Sequence, residues 1–409
     1  MYTLAIYIYM LAVILVSPFH KKARALVAGH WNTFRLLRKK VKPGEKYIWF
    51  HAASLGEFEQ GRPLMERLRK EFPDCKILLT FFSPSGYEVR KDYPVADVVC
   101  YLPFDTPGNV MSFFRLVKPQ MAIFIKYEFW QNFLKACRKR NIPVYSVSSI
   151  FREDQVFFRW YGRNYAKVLN CVDHFFVQNE TSQKLLASLG LHNSTIVGDT
   201  RFDRVIDICR QAKELPLIEK FKGRQTVFVA GSSWAPDEDL FVPYFNAHPE
   251  LKLIIAPHKI HEAHLKEIES KLSRPSLRLS QATPENVASA HCLIIDCFGL
   301  LSSIYRYGEV AYVGGGFGVG IHNVPEAAVY GVPVLIGPNN RKFREVQDLL
   351  KLGGCFQIQD AESFNRTLDR LLTDAQALKE SGDIAGRYIG QNAGAVDAVF
   401  RAVDFGAVV

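Results

Sequence analysis

Two carboxylates stand where an apolar run gives way to a helical one. Residues 48–57 read IWFHAASLGE: a buried strand ends, Ser54 and Gly56 make a tight turn, and Glu57 opens a helix at the mouth of an expected cleft. A carboxylate there can take a proton from an acceptor hydroxyl. The helix dipole lowers its pKa, and desolvation by a bound lipid or sugar raises it. Residues 125–130 read IKYEFW, which puts Glu128 at a second junction of the same kind, with two aromatics behind it. Each acid alone also reads as the first-turn acid of an ordinary helix. Two of them facing one nucleotide site are more specific. Arg152, in SSIFRED after another strand, suits a substrate phosphate or carboxylate as well as it suits a surface ion pair.

The second half carries different chemistry. Val310–Val313 runs into GGGFGVGIHNVPEAAVYGVPVLIGP. Gly315 and Gly316 let backbone approach a ligand closely. Asn323 is placed to cap the next helix, whose N-terminus suits a phosphate. Glu326, in its first turn, can accept both hydroxyls of a ribose. A tight structural turn is the competing reading, and a nicotinamide fingerprint would follow the first strand of its domain rather than about the fourth. Ser232 and Ser233 precede a helix beginning near Pro236, which suits a phosphate or a plain cap. Asp237-Glu238-Asp239 resembles a metal-binding DxD, but first-turn acids favour the dipole, so the run reads as structural. His258 and Lys259 follow a strand end and can neutralise a phosphate or form a solvated loop. No metal signature accompanies His258, His261 and His264.

These residues need strands to carry them. Apolar runs at Tyr47–Ala52, Lys76–Phe81, Val98–Tyr101, Met121–Ile125, Val144–Val147 and His174–Val177 alternate with amphipathic stretches such as Phe58–Phe72 and Phe129–Arg140. A second series comprises Thr226–Ala230, Leu251–Ala256, Cys292–Asp296, Val310–Val313 and Pro333–Ile336. The alternation predicts two α/β, Rossmann-like, doubly wound domains facing a cleft, with sites just beyond the strand ends. The expected boundaries are 1–44 for an anchor and basic segment, 45–208 for an acceptor domain and 209–390 for a donor domain. A C-terminal helix over 391–409 is expected to return to the first domain. Asp203–Arg224, polar and helix-like, is the natural hinge.

Residues 1–19 carry no charge, and Lys21, Lys22, Arg24, Arg35, Arg38, Lys39, Lys40 and Lys42 follow before the first acid, Glu45. Without these eight the balance is 43 positive against 41 negative, so the basic charge is an N-terminal address. It does not predict a nucleic-acid partner, which would spread basic residues over a folded face. Apolar first and basic second reverses the order of a secretory signal. The order predicts a membrane anchor, spanning or dipping, with the body in the cytoplasm. A helix packed on the protein itself is the alternative. The 8 cysteines, with no CxxC pair, make neither a disulfide framework nor a zinc site.

Taken in order, these motifs resemble the Kdo (3-deoxy-D-manno-octulosonic acid) transferases, membrane-associated inverting GT-B glycosyltransferases of lipopolysaccharide synthesis. The resemblance rests on the anchor and basic segment, HAASLGE at His51–Glu57, Glu128-Phe129-Trp130-Gln131-Asn132, and the late run YVGGGF, HNVPE and GVPVLIGP. It implies CMP-Kdo as donor, a lipid A precursor (lipid IVA) as acceptor, and no cofactor or metal. It implies Glu57 as general base and Glu128 as the second essential acid. Ser232, Ser233, His258, Lys259, Gly315, Gly316, Asn323 and Glu326 become donor residues, and Ser54, Gly56 and Arg152 are assigned to the acceptor. The chain departs from the pattern at Lys126-Tyr127, where the family has Glu-Thr, and at His258, where it has Arg. It departs again at Trp234, within the family's STHxGE, and at Leu300, where a Gly-Glu-Leu is expected. A UDP-sugar transferase acting on a lipid, and a membrane-tethered nucleotide-sugar binder without turnover, are the competing readings.

Overall fold

The computed structural model describes residues 2–212, 214–318 and 320–408. The chain forms two compact units. One reaches to Asp203 and takes back the chain from Gly394 onward; the other is Arg204–Ala393.

The first unit is built on strands β1 (Tyr47–Ala52), β2 (Lys76–Phe81), β3 (Val98–Tyr101), β4 (Pro119–Ile125), β5 (Val144–Ser149), β6 (His174–Val177) and β7 (Ser194–Ile196). Their order is β3-β2-β1-β4-β5-β6-β7, and every pairing is parallel. β1 is buried along its whole length, as a strand covered on both faces must be. Trp49 packs among Phe113, Phe124 and Phe133 on one face, and Phe50 and Ile48 serve the other. The strand order reverses at β1 and β4. The crevice beyond their carboxyl ends is where such sheets bind ligands.

Three helices matter for the site. α1 (Tyr2–Val16) and α2 (Lys21–Lys40) are separated by a turn containing Pro18, which cannot continue α1. α2 buries Leu26, His30, Thr33 and Leu37, one face at helical spacing, and Thr33 donates to the Tyr101 carbonyl of β3 at 3.1 Å. α3 (Leu55–Glu71) follows β1. α1 has 15 residues, about 22 Å of helix against a hydrocarbon core of about 30 Å. Among the described residues no helix is long and apolar enough to cross a membrane. α1 stops at Val16, short of Phe19, where the uncharged stretch ends.

The second unit is built on β8 (Thr226–Ser233), β9 (Leu251–Pro257), β10 (Ser276–Arg278), β11 (Cys292–Ile294), β12 (Val310–Val313), β13 (Val334–Ile336) and β14 (Cys355–Gln357). Their order is β10-β11-β9-β8-β12-β13-β14, again parallel throughout. The reversal lies at β8 and β12. Among the described residues Asp203–Arg224 contains no strand; most of it belongs to two helices, Thr200–Gln211 and Pro216–Lys222.

Candidate active site

In the first unit Glu57 and Glu128 follow β1 and β4, on either side of the reversal. Ser54 is the N-cap of α3, and Glu57, three residues on, turns back so that Oε2 accepts the Ser54 N–H at 3.1 Å. This is the capping-box geometry of Ser-x-x-Glu. Glu57 is only 6% exposed. Burial raises its pKa to about 7, helped by the Glu128 charge and opposed by Lys126 and the N–H groups of Ala53 and Ser54. The protein itself supplies the desolvation expected of a substrate. The result is a base that changes protonation near neutrality, as proton transfer requires.

Glu128 is oriented by two neighbours that the sequence reading quoted without assigning. Trp130 Nε1 donates to Glu128 Oε2 at 3.0 Å and to His51 Nε2 at 3.1 Å. His51 is fully buried, and its Nδ1 contacts the Thr80 carbonyl at 3.1 Å and Oγ1 at 2.9 Å. An Nε2 that accepts from Trp130 leaves the ring proton on Nδ1, where Thr80 receives it. His51 Nε2 lies 3.7 Å from Glu128 Oε2.

Cations close the other side. Lys126 ends β4 in a left-handed conformation (φ 64°). Its burial and the Arg201 and Arg152 charges push the ammonium pKa down, against Glu57 and Asp199. Arg201 is fixed by the Asp199 carboxylate at 2.8 Å, which Gln60 of α3 also contacts at 2.9 Å. Arg152 itself is exposed beyond β5, with its N–H on the Gln155 side chain. Gly56 has open space where a Cβ would stand. Ser148, in the β5 irregularity, is a second left-handed residue (φ 52°). Non-glycine residues held this way cost about 1–3 kcal/mol each and cluster at functional sites.

In the second unit the loops after β8, β9 and β12 converge. Ser232 is left-handed (φ 52°), and the β8–β9 register slips there. The strand runs on to Ser233, whose hydroxyl is fully buried and donates to Glu238 at 2.9 Å; Glu238 also meets His264 Nε2 at 2.9 Å. The donor role of the Ser233 side chain is thereby corrected, since its hydroxyl is committed inside the fold. Asp237 accepts from the N–H groups of Trp234 and Gly315, each at 2.9 Å, and from the Tyr312 hydroxyl at 2.6 Å. It pins the glycine loop to the start of helix Ala235–Ala247. The structural reading of Asp237 holds, and the first turn of that helix is occupied by the protein's own carboxylate instead of offered to a phosphate.

Around this pin lies a group of rings. His258 stacks on Trp234 and on His322 with centroids 4.6 and 4.4 Å apart. Trp234 Nε1 donates to His322 Nε2 at 3.1 Å. Burial and the neighbouring His258 push the His322 pKa down to about 4. Lys259 Nζ sits 4.8 Å from the Trp234 ring centroid. Gly315 is left-handed (φ 92°), and a Cβ on Gly316 would lie 2.6 Å from Gly337 Cα, so both positions exclude a side chain. Asn323 does not cap the following helix, as expected; Val324 stands at the cap, and Asn323 Nδ2 donates to Glu326 Oε1 at 2.7 Å. Ser302 donates to Glu326 Oε2 at 2.8 Å. Asn323 Oδ1 is buried and accepts no hydrogen bond.

A family model for 3-deoxy-D-manno-octulosonic-acid transferase matches residues 30–204, the region of Glu57 and Glu128. The 3-deoxy-D-manno-octulosonic acid transferase of Aquifex aeolicus is 26% identical, over 86% of this chain and 94% of its own. That of Chlamydia pneumoniae is 25% identical, over 95% of this chain and 90% of its own. Over most of its length the chain is similar to Kdo transferases, and residues 30–204 match their family model. It is a glycosyltransferase. Among solved structures, the UDP-GlcNAc 2-epimerase of Neisseria meningitidis bound to UDP-GlcNAc covers 87% of the chain and 99% of its own, at 15% identity and TM-score 0.61. MurG of Acinetobacter baumannii covers 88% of the chain and 99% of its own, at 12% identity and TM-score 0.55. Both share the GT-B fold of two parallel α/β units. This Kdo transferase relative has its left-handed residues Lys126, Ser148 and Ser232 at strand ends in those units.

Proposed function

We propose that the protein transfers Kdo from CMP-Kdo to a lipid A precursor, lipid IVA, with inversion and without a metal. The observation that carries the reading is the buried Glu57, its pKa raised to about 7 at the carboxyl end of β1. Its carboxylate, oriented by the Ser54 N–H, receives the proton of the attacking hydroxyl. That oxygen bonds to the anomeric carbon as the bond to the CMP phosphate breaks, and configuration inverts. Charge grows on the departing phosphate. Lys259 and Ser232 supply the opposing charge and a donor. Glu326, oriented by Asn323 and Ser302, takes the ribose hydroxyls.

The same reading puts the protein on the cytoplasmic face of the inner membrane. α1 lies in the membrane surface instead of crossing it: Leu4, Ile8, Leu11 and Leu15 form an exposed apolar stripe. The exposed Lys and Arg residues of α2 meet anionic headgroups. Incubation with CMP-Kdo and a tetraacylated lipid A precursor, read by mass spectrometry, is expected to show the mass of added Kdo. Glu57→Ala is expected to abolish transfer while CMP-Kdo binding persists. A variant transferring at a near-normal rate overturns the role given to Glu57.

A further inference from the structure

α1 and α2 pack on each other over part of their length. Between them, with Phe104 as floor, lies a groove of about 260 Å³ lined chiefly by Met10, Ile14, Val27, Trp31, Phe34 and Phe104. Its lining is overwhelmingly apolar, yet nothing in α1 or α2 fills it. An apolar cavity of about 150 Å³ already takes up benzene, so this one has room for a segment of hydrocarbon chain. Trp31, at its edge, is 73% exposed, a large cost for a side chain facing only water.

Two further observations say what covers it. The first is charge. Arg35 and Arg38 stand one helical turn beyond Trp31 and Phe34, and no acid occurs before Glu45. The rim therefore matches an amphiphile with an anionic head. The second is continuity with the carboxylates. Tyr9 of α1 packs on Phe104 and Phe82, each at 6.3 Å. Phe82 packs on Trp130 at 4.6 Å, and Trp130 donates to Glu128. An aromatic path leads from the groove to the candidate base site.

We propose that this groove binds one acyl chain of the phosphorylated glycolipid acceptor, drawing it from the bilayer so that its sugar lies against Glu57 and Glu128. The inference rests on the lipid-acceptor reading above and adds to it a specific tail site. A groove serving bulk phospholipid would hold the protein on the membrane but would not discriminate between acceptors.

Val27→Trp and Met10→Trp fill the groove from opposite walls, so a folding failure of one leaves the other. Each is assayed on the tetraacylated acceptor and on its deacylated backbone. Binding to phosphatidylglycerol vesicles is measured in parallel. Displacing two methylenes costs about fifteenfold in affinity. The expected result is a fall of about that size in kcat/KM on the acylated acceptor, several times larger than any fall on the deacylated one, with vesicle binding changed less than twofold. Equal falls on both acceptors, no fall, or a loss confined to vesicle binding overturns the proposal. Absence of transfer by the unaltered protein to either acceptor counts against the donor and acceptor assignment instead. The groove is then decided by quenching of Trp31 emission, isolated against Trp31→Phe, by the acceptor with brominated acyl chains. Quenching abolished by both filling substitutions supports it, and quenching unaffected by them refutes it.

Discussion

Glu57→Gln should make the protein more stable at alkaline pH while removing its transferase activity. The folded-state pKa is raised from the ordinary 4.5 to about 7, because burial penalises the charged form and Glu128 adds like charge. A raised pKa means that the folded chain holds a proton the unfolded chain releases. The favourable contribution is therefore fully present below pH 4.5, is lost as pH rises to 7, and stays lost above. Linkage sets the cost of ionising Glu57 in the folded state at about 0.8 kcal/mol at pH 5 and about 3.3 kcal/mol at pH 8. Glutamine keeps an oxygen for the Ser54 N–H and carries no charge. Part of the gain is offset by a weaker bond to that N–H, about 1 kcal/mol. The net expectation is about 2 kcal/mol of stabilisation at pH 8 and none at pH 5. The assay is urea unfolding of the full chain and of Glu57→Gln at both pH values, following the transition of the first unit. In the unaltered protein, kcat/KM should rise with pH through a midpoint near 7. Equal stability of the two proteins at pH 8, or a kinetic midpoint near 4.5, would refute the burial argument.

Three other outcomes follow from the geometry. Trp130→Phe removes the N–H shared by Glu128 and His51; steady-state kinetics should show kcat lowered about tenfold with donor KM little changed. Asn323→Ala removes the Nδ2 donor to Glu326 Oε1 and a buried acceptor. Calorimetry should show CMP binding weakened by about 1–3 kcal/mol, whereas a variant binding as tightly would remove Asn323 from the donor site. Lys39→Glu with Lys40→Glu reverses two exposed charges at the end of α2. Sedimentation with anionic vesicles should show binding weakened by at least tenfold at low salt, and the difference should shrink as salt is raised.

The parallel sheets were legible because their strands are buried on both faces. β1 and β12 are continuous apolar runs with sharp polar ends, and the expected and observed limits coincide at Tyr47–Ala52 and Val310–Val313. The edge strands β7, β10 and β14 were not foreseen. Each has three residues and is only partly buried, too short for periodicity to register. The site was legible as positions and less so as orientations. Glu57 and Glu128 were found from strand-end spacing, but spacing does not say that the Ser54 cap folds Glu57 inward. Ser233 was misread because β8 was expected to stop at Ala230. The strand continues through a left-handed Ser232, and that slip turns the Ser233 hydroxyl toward Glu238. The stack of Trp234, His258 and His322 joins loops after β8, β9 and β12, a contact no local pattern announces.

What ties the N-terminal helices to the chemistry is a shared carboxylate. Asp105 accepts from the N–H groups of Asn132 and Phe133, at 2.9 and 3.0 Å, and so starts the helix Gln131–Lys139 that follows Glu128 and Trp130. The same Asp105 receives the Tyr2 hydroxyl of α1 at 2.7 Å. Tyr2 also stacks on Tyr165, whose hydroxyl donates to the Phe129 carbonyl at 2.8 Å. The segment 128–132, which carries Glu128, is thus held from both sides by groups that α1 touches. A helix serving only as a tether would need no such contacts. Their presence packs α1 against the segment that carries Glu128, with its apolar stripe turned outward and Tyr2 bonded to Asp105.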